Sequence, residues 1–575
     1  MTSRDDARAA ADEAARAAAE ARAAAEAAQT RADELAAAAV AAESVPSTPA
    51  PGESAGTGGI AEIVRAGYAF EGAAIEMGAL LDGTPPHLVA VPSAPVRIPL
   101  AMLNRHGLVA GATGTGKTKT LQVLAEQIAA HGVPVFAADI KGDLSGIATA
   151  GVPGDQLLAR TRSVGQDWQP VATPTEYFAL GGVGAGVPVR ATIDDFGPTL
   201  LSKVLGLNAT QESSLGLVFH YARGAELPLI DLDDLRDVLT HLTSDTGKSE
   251  LKALGGLSPA TVGVILRELI GFSDEGADEF FGQPEIQVSD FLRTAPDGRG
   301  IVSLLEVPGV QDKPALFSTF LMYLLHRLFE ELPEVGDSDK PKLVFFFDEA
   351  HLLFADASDD FLETITQTVR LIRSKGVGIF FVTQTPKDVP SDVLAQLGSR
   401  VQHQLRAHTP DAAKALKATI STYPTTSYDL EEVLTSLGIG EAIVTVMNDR
   451  GAPTPVAWTR LRAPQGSMDP TPADQVAAAV AGSPLLATYG TAVDPRSASE
   501  ILHEQGSAAA ADAERSADEA RVRKEAERLE KQAPKGSSRP SRRRSQRMSP
   551  VDRAVGEAGR TLARELVKNL FRRRR

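Results

Sequence analysis

Two short runs of this chain have residue types and spacing that can do chemistry. Residues 111–118 read Gly111-Ala112-Thr113-Gly114-Thr115-Gly116-Lys117-Thr118 and satisfy G-x-x-x-x-G-K-[ST] in full. Glycines let successive backbone N–H groups turn inward around a phosphate, and a helix starting at the lysine aims its positive end at the same anion. Lys117 can bridge the outer phosphates of a nucleoside triphosphate, and the Thr118 hydroxyl can ligate Mg²⁺. The second run, Leu343-Val-Phe-Phe-Phe-Asp348-Glu349-Ala350-His351, is an apolar stretch ending in two acids. An acid at the carboxyl end of a buried strand, here Asp348, suits the Mg²⁺ shell. The next acid, Glu349, can polarise an attacking water as general base. Together the runs predict binding and hydrolysis of ATP with Mg²⁺.

The elements around them must form an α/β sheet. Residues 107–111 read as a short buried strand, 118–130 as a helix and 133–139 as a second strand, so a parallel pairing is expected. Further strand patterns occur at 188–193, 301–307, 343–348, 378–383, 400–405 and 442–447, with helical stretches at 315–332 and 359–374. Their near-continuous apolar character is that of a sheet covered on both faces. The reading divides the chain into an Ala-rich charged helix (1–43), a flexible linker (44–59), a first core segment with the phosphate loop (60–194) and a helical insertion (195–292). A second core segment with the acidic strand end (293–465), a linker with a charged low-complexity helix (466–550) and a basic amphipathic helix (551–575) follow.

Composition removes several classes. The absence of cysteine excludes a disulfide scaffold, thiolate zinc sites and a cysteine nucleophile, and it fits a reducing cytoplasm. No apolar run approaches the ~18 residues of a spanning helix. The N-terminus has no apolar stretch of the secretory kind. The ten histidines are scattered and suggest neither a metal cluster nor a hydrolytic triad; His351 reads as packing or coupling. The formal charge of −16 hides an asymmetry, because residues 531–575 carry a net +12 and the rest therefore −28. A basic tail on an acidic body is a candidate for capturing nucleic-acid phosphates.

The two motifs, about 230 residues apart, argue against small-molecule kinases, and no N-K-x-D guanine motif is present: the nearest string, Ile140-Lys141-Gly142-Asp143, lacks the Asn. Taken with PVFAADIKGDLSG, LIRSKGVGIFFVTQTPKDVP and LGSRVQHQLRAHTP, the loop and the acidic strand make residues 60–460 resemble the HerA-FtsK superfamily of ATPases, within it the bacterial HerA-like helicases. The resemblance implies a RecA/ASCE-like P-loop NTPase core, a homo-hexameric ring and duplex DNA in its pore. It also implies that Gln384, ending the strand after the acids, senses the γ-phosphate. Arg373, with Arg370 beside it, would reach the neighbouring subunit's ATP; Arg400 is a weaker candidate. Asp139, Lys141 and Asp143 read either as coupling residues or as surface charge. The residues ahead of the loop are too few for the N-terminal β-barrel of HerA helicases. Beside a DNA translocase stand two other readings: an ATPase energising a protein or secretion substrate, and a regulatory nucleotide-binding module.

Overall fold

The computed structural model describes residues 59–532, apart from 86, 246, 254–256, 307–313, 337 and 355–358. The helices expected over 1–43 and 551–575 lie outside the described residues.

Among the described residues twelve strands form one sheet: β1 (Ala74–Thr84), β2 (His87–Pro99), β3 (Gly107–Ala110), β4 (Val135–Asp139), β5 (Thr175–Leu180), β6 (Val187–Val189), β7 (Val302–Glu306), β8 (Leu343–Phe347), β9 (Val377–Thr383), β10 (Ser399–Gln402), β11 (Glu441–Thr445) and β12 (Ala457–Leu461). Their spatial order is β2-β1-β12-β11-β10-β3-β9-β8-β4-β7-β5-β6. From β10 through β6 every pairing is parallel, and from β10 through β2 every pairing is antiparallel. The chain is therefore α/β with a mostly parallel sheet.

Period-two alternation divides each central strand between two cores. In β8, Val344 and Phe346 on one face belong to the same core as Leu121, Leu124 and Ile128 of the helix Lys117–Ala130. On the opposite face Phe345 meets Phe136 of β4 at 4.7 Å between ring centroids, and Phe347 stacks on Phe381 of β9 at 5.5 Å. A strand buried on both faces is apolar at every position, as its sequence shows.

Four strands have no counterpart among the sequence expectations: β1, β2, β5 and β12. β2 carries Pro92, Pro95 and Pro99, which argue against a strand unless it lies at a sheet edge, and β2 is one of the two edge strands. The β1–β2 hairpin and β11–β12 extend the sheet, and a second apolar core forms around Ile443, Trp458, Leu434 and Leu416.

Between β6 and β7 the chain is mainly helical: Ile193–Val204, Ala209–Gly224, Leu232–Thr243, Lys248–Ala253 and Pro259–Asp274. Asn208 and Asp231 open the second and third helices with reciprocal capping boxes. Asp195 ties the first helix to Tyr323 and Arg327 of the helix Pro314–Glu331, and Phe196 stacks on Tyr323 at 5.5 Å.

The chain divides into two units between Glu500 and Ile501. In the second, the described residues belong to the helix Ala498–Gln532, which is exposed from His503 to Arg528 and laced by pairs such as Arg521–Asp518 at 3.5 Å. Among the described residues no helix is long and apolar enough to cross a membrane.

Candidate active site

Parallel pairing brings the ends of non-consecutive strands to one edge. Ala110 of β3 is in register with Thr383 of β9, Phe381 of β9 with Phe347 of β8, and Phe347 with Ala138 of β4. The residues that follow, Gly111, Gln384, Asp348 and Asp139, therefore emerge side by side at the carboxyl edge. Ligands of open α/β sheets bind at this edge.

The loop is built by backbone geometry. Gly111 donates its N–H to Thr383 O (3.2 Å) and Ala112 to Gln404 O (2.8 Å), which fix the start of the turn between its two neighbouring strands. Gly111 has to be glycine because an added Cβ would lie 2.4 Å from His403 Cβ. Gly114 (φ 83°) and Gly116 (φ 106°) occupy the left-handed region that side-chain-bearing residues avoid. Thr113 and Gly114 are exposed, whereas Thr115 is buried with its hydroxyl donating to Ala112 O at 2.8 Å. The helix Lys117–Ala130 starts directly after, so its first-turn N–H groups, which lack intrahelical acceptors, point into the loop. Thr118 lies half-buried on that first turn.

Lys117 folds back over the loop and donates to Gly111 O (2.7 Å) and Ala112 O (3.3 Å). Burial holds its ammonium below the ordinary lysine range, opposed by the charges of Glu349 and Asp348. Asp348 is buried and accepts from the Glu349 N–H at 2.9 Å. Burial first, and the Glu349 charge second, push its carboxyl up to about 7. A nearby cation favours the ionised form of such an acid. The loop, Lys117, Thr118 and Asp348 together fit ATP with Mg²⁺.

Glu349 has φ 49°, a left-handed conformation without the excuse of glycine. Its carboxylate pairs with Lys141 through Oε1, and His351 Nδ1 lies 3.2 Å from Oε2. Burial works against its charge, but the Lys141 hydrogen bond and charge, then His351 and Lys117, hold it below the usual glutamate range. Asp139 has a different part: its carboxylate accepts from the N–H groups of Gly142 (2.8 Å) and Leu144 (2.9 Å) and shapes the turn that carries Lys141.

Gln384 lies exposed directly after β9 and helps line a cavity of about 310 Å³ in front of Ala112 and Thr113, with Lys387, Arg406 and Asp411 on its other walls. Arg373 lies elsewhere. It sits in the turn Arg373–Lys375 that precedes β9, at the amino edge of the sheet and exposed, as is Arg370. The seven residues of β9 separate it from Gln384 by roughly 23 Å at strand rise. Arg400 stands within β10, directed to Thr422 and over the Tyr423 ring.

Two buried histidines had no place in the sequence reading, one under the loop and one at the opposite edge of the sheet. His403 sits under the loop with Nε2 3.0 Å from Thr120 Oγ1, and burial first, then the Lys117 charge, lowers its pKa to about 4. His106 precedes β3: Nδ1 accepts from the Ile379 N–H (3.0 Å), so Nε2 carries the proton and donates to Val369 O (2.7 Å). For His403 the readable signal was the polar pair Gln402-His403 at the end of a largely buried strand, since buried polar groups have to be partnered.

The family described as helicase HerA-like C-terminal matches residues 87–574. The chain belongs to that family. Among curated relatives, this HerA-like chain is 24% identical over 362 residues to a protein of Methanocaldococcus jannaschii named a probable helicase, covering 60% of this chain and 64% of that one. It is 21% identical over 357 residues to the DNA double-strand break repair helicase HerA of Saccharolobus solfataricus, covering 61% and 63%. The chain thus spans just under two thirds of the length of these relatives. Among solved structures, the bacterial conjugative coupling protein TrwB is similar at 16% identity and a TM-score of 0.45, over 70% of this chain and 98% of that one. VirB4 of Thermoanaerobacter pseudethanolicus is similar at 14% identity and a TM-score of 0.40, over 69% and 97%. The phosphate loop at residues 111–118 lies within the part of the chain that the HerA-like family matches.

Proposed function

We propose that this chain is an ATP-driven DNA translocase of helicase type that hydrolyses ATP to ADP and phosphate. The observation that carries the hydrolytic part is the convergence of the 111–118 loop, Asp348 and Glu349 at one sheet edge. Bound Mg²⁺ would neutralise phosphate charge and order the triphosphate, held by Thr118 and Asp348. The loop amides and Lys117 hold the β- and γ-phosphates. Glu349 takes the proton of the attacking water, and Gln384 orients that water or the γ-phosphate through its amide.

Arg373 is at the wrong edge to act on its own subunit's nucleotide. That position supports a ring in which each subunit's Arg373 turn faces the next subunit's loop, a head-to-tail interface that closes on itself. A homo-hexamer with duplex DNA in its pore, and the 531–575 segment as a further contact for DNA phosphates, completes the reading. Its support is the family, whose curated relatives are named helicases. ATP turnover measured with and without duplex, forked and single-stranded DNA is the deciding experiment. Stimulation by DNA is expected. Turnover indifferent to every DNA tested favours the alternatives, a motor for a protein substrate or a regulatory nucleotide-binding module.

A further inference from the structure

We propose that Lys141 is a positioning residue: it clamps the Glu349 carboxylate in the resting site and releases it when a phosphate anion competes for its ammonium. The inference rests on the ATPase reading above and concerns how that activity is held in check.

The clamp is a product of strand register. Ala138 lies beside Phe347, so the turn after β4 and the acids after β8 leave the sheet together, and Lys141 meets Glu349 across that edge. Asp139 holds the turn by accepting from two of its amides, which leaves Lys141 as the residue extended toward the site. The Glu349 backbone is independently held, since its own N–H donates to Asp348 and the next N–H, of Ala350, donates to Val382 O at 2.9 Å. What remains free to choose is the direction of the Glu349 side chain, and Lys141 on one oxygen with His351 near the other sets it.

The partners differ in exposure. The Glu349 side chain is 7% exposed and Lys141 45%. The cation is therefore the partner that an incoming anion can reach, on a long stem that can swing away. Phosphate oxygens are the matching chemistry. Two sources present them: the terminal phosphate of ATP bound at the loop, and the backbone of DNA. A carboxylate oxygen occupied by an ammonium is not available to accept from an attacking water.

The test compares Lys141→Met, Lys141→Gln and Lys141→Arg in the full chain, each also in the Glu349→Gln background. Melting curves and MgADP binding report that each variant is folded. Releasing the clamp should raise turnover without DNA by about fivefold, the scale of one half-exposed ion pair. KM for ATP should stay within about twofold, and Lys141→Arg should restore the wild-type rate. In the Glu349→Gln background, Lys141→Met should leave the ratio of ATP to ADP affinity unchanged, because the clamp acts only through Glu349. If the stimulation factor of DNA collapses in Lys141→Met, backbone phosphate is the competing anion; if basal rate rises and the factor persists, it is the nucleotide's own phosphate. Lower or unchanged basal turnover in both neutral variants overturns the clamp. So does a selective loss of ATP affinity in the Glu349→Gln background, which would make Lys141 a direct phosphate ligand. Wild-type protein that turns over no ATP, or Glu349→Gln protein as fast as wild type, overturns the ATPase reading itself and the clamp with it.

Discussion

Replacing Glu349 separates catalysis from architecture, because the residue combines a reactive carboxylate with a strained backbone. Glu349→Gln removes the base but keeps a side chain of the same shape at φ 49°. Turnover should fall by about 10²- to 10⁴-fold, the range for losing a general base. Nucleotide binding should survive, since the loop amides, Lys117, Thr118 and Asp348 are untouched. Stability should hardly move: the Lys141 partner is 45% exposed, so the lost pair contributes at most about 1 kcal/mol. Glu349→Gly is equally without a base but relieves the left-handed backbone, worth about 1 kcal/mol. Glycine should therefore melt above glutamine by roughly 2 °C, the shift expected for that increment in a domain of this size class. The assays are phosphate release at saturating MgATP, equilibrium MgATP binding and thermal melting without nucleotide. Wild-type turnover in either variant refutes the base assignment. A glycine variant that melts below the glutamine variant refutes the strain argument while leaving the chemistry intact.

Four further outcomes are expected. Gly111→Ala should impair MgATP binding and cost about 1–3 kcal/mol of stability, because its Cβ would lie 2.4 Å from His403 Cβ; unchanged affinity and melting would contradict that crowding. His106 is held neutral with its pKa lowered from 6.5 to about 4, so its contribution is whole above pH ~6.5 and is lost as the pH falls toward 4. A His106→Gln variant should lack on the order of 3 kcal/mol of acid sensitivity across that window, read as the difference between the two stability–pH curves; parallel curves would contradict it. Mixing Arg373→Ala with Lys117→Ala subunits should restore some turnover, since one interface in the mixture joins an intact arginine to an intact loop; absence of rescue at every ratio, together with a monomeric mass in ATP, counts against the ring. Removing residues 536–575 should weaken DNA binding at low salt and flatten its salt dependence while basal turnover persists, and equal salt slopes with and without the segment would remove it from the DNA contact.

Much of this protein was readable from local pattern. The 111–118 loop is contiguous, and its glycines, lysine and threonine are needed at fixed offsets, so one string specifies the local structure and its chemistry. The acidic end of β8 was equally visible, because a strand buried on both faces must be apolar until it leaves the sheet. The tertiary structure decided what depends on neighbours distant in sequence. β2 was not among the expected strands; its prolines are tolerable only at an edge, and edge position is a property of the assembled sheet. Lys141 was ambiguous between surface and site until the pairing of β4 with β8 placed it on Glu349. Arg373 lies four residues before β9 begins and Gln384 directly after β9 ends, yet the length of that strand puts them on opposite edges of the sheet. Sequence determines which residues follow which strand; only the order and register of the strands determine which of those residues meet.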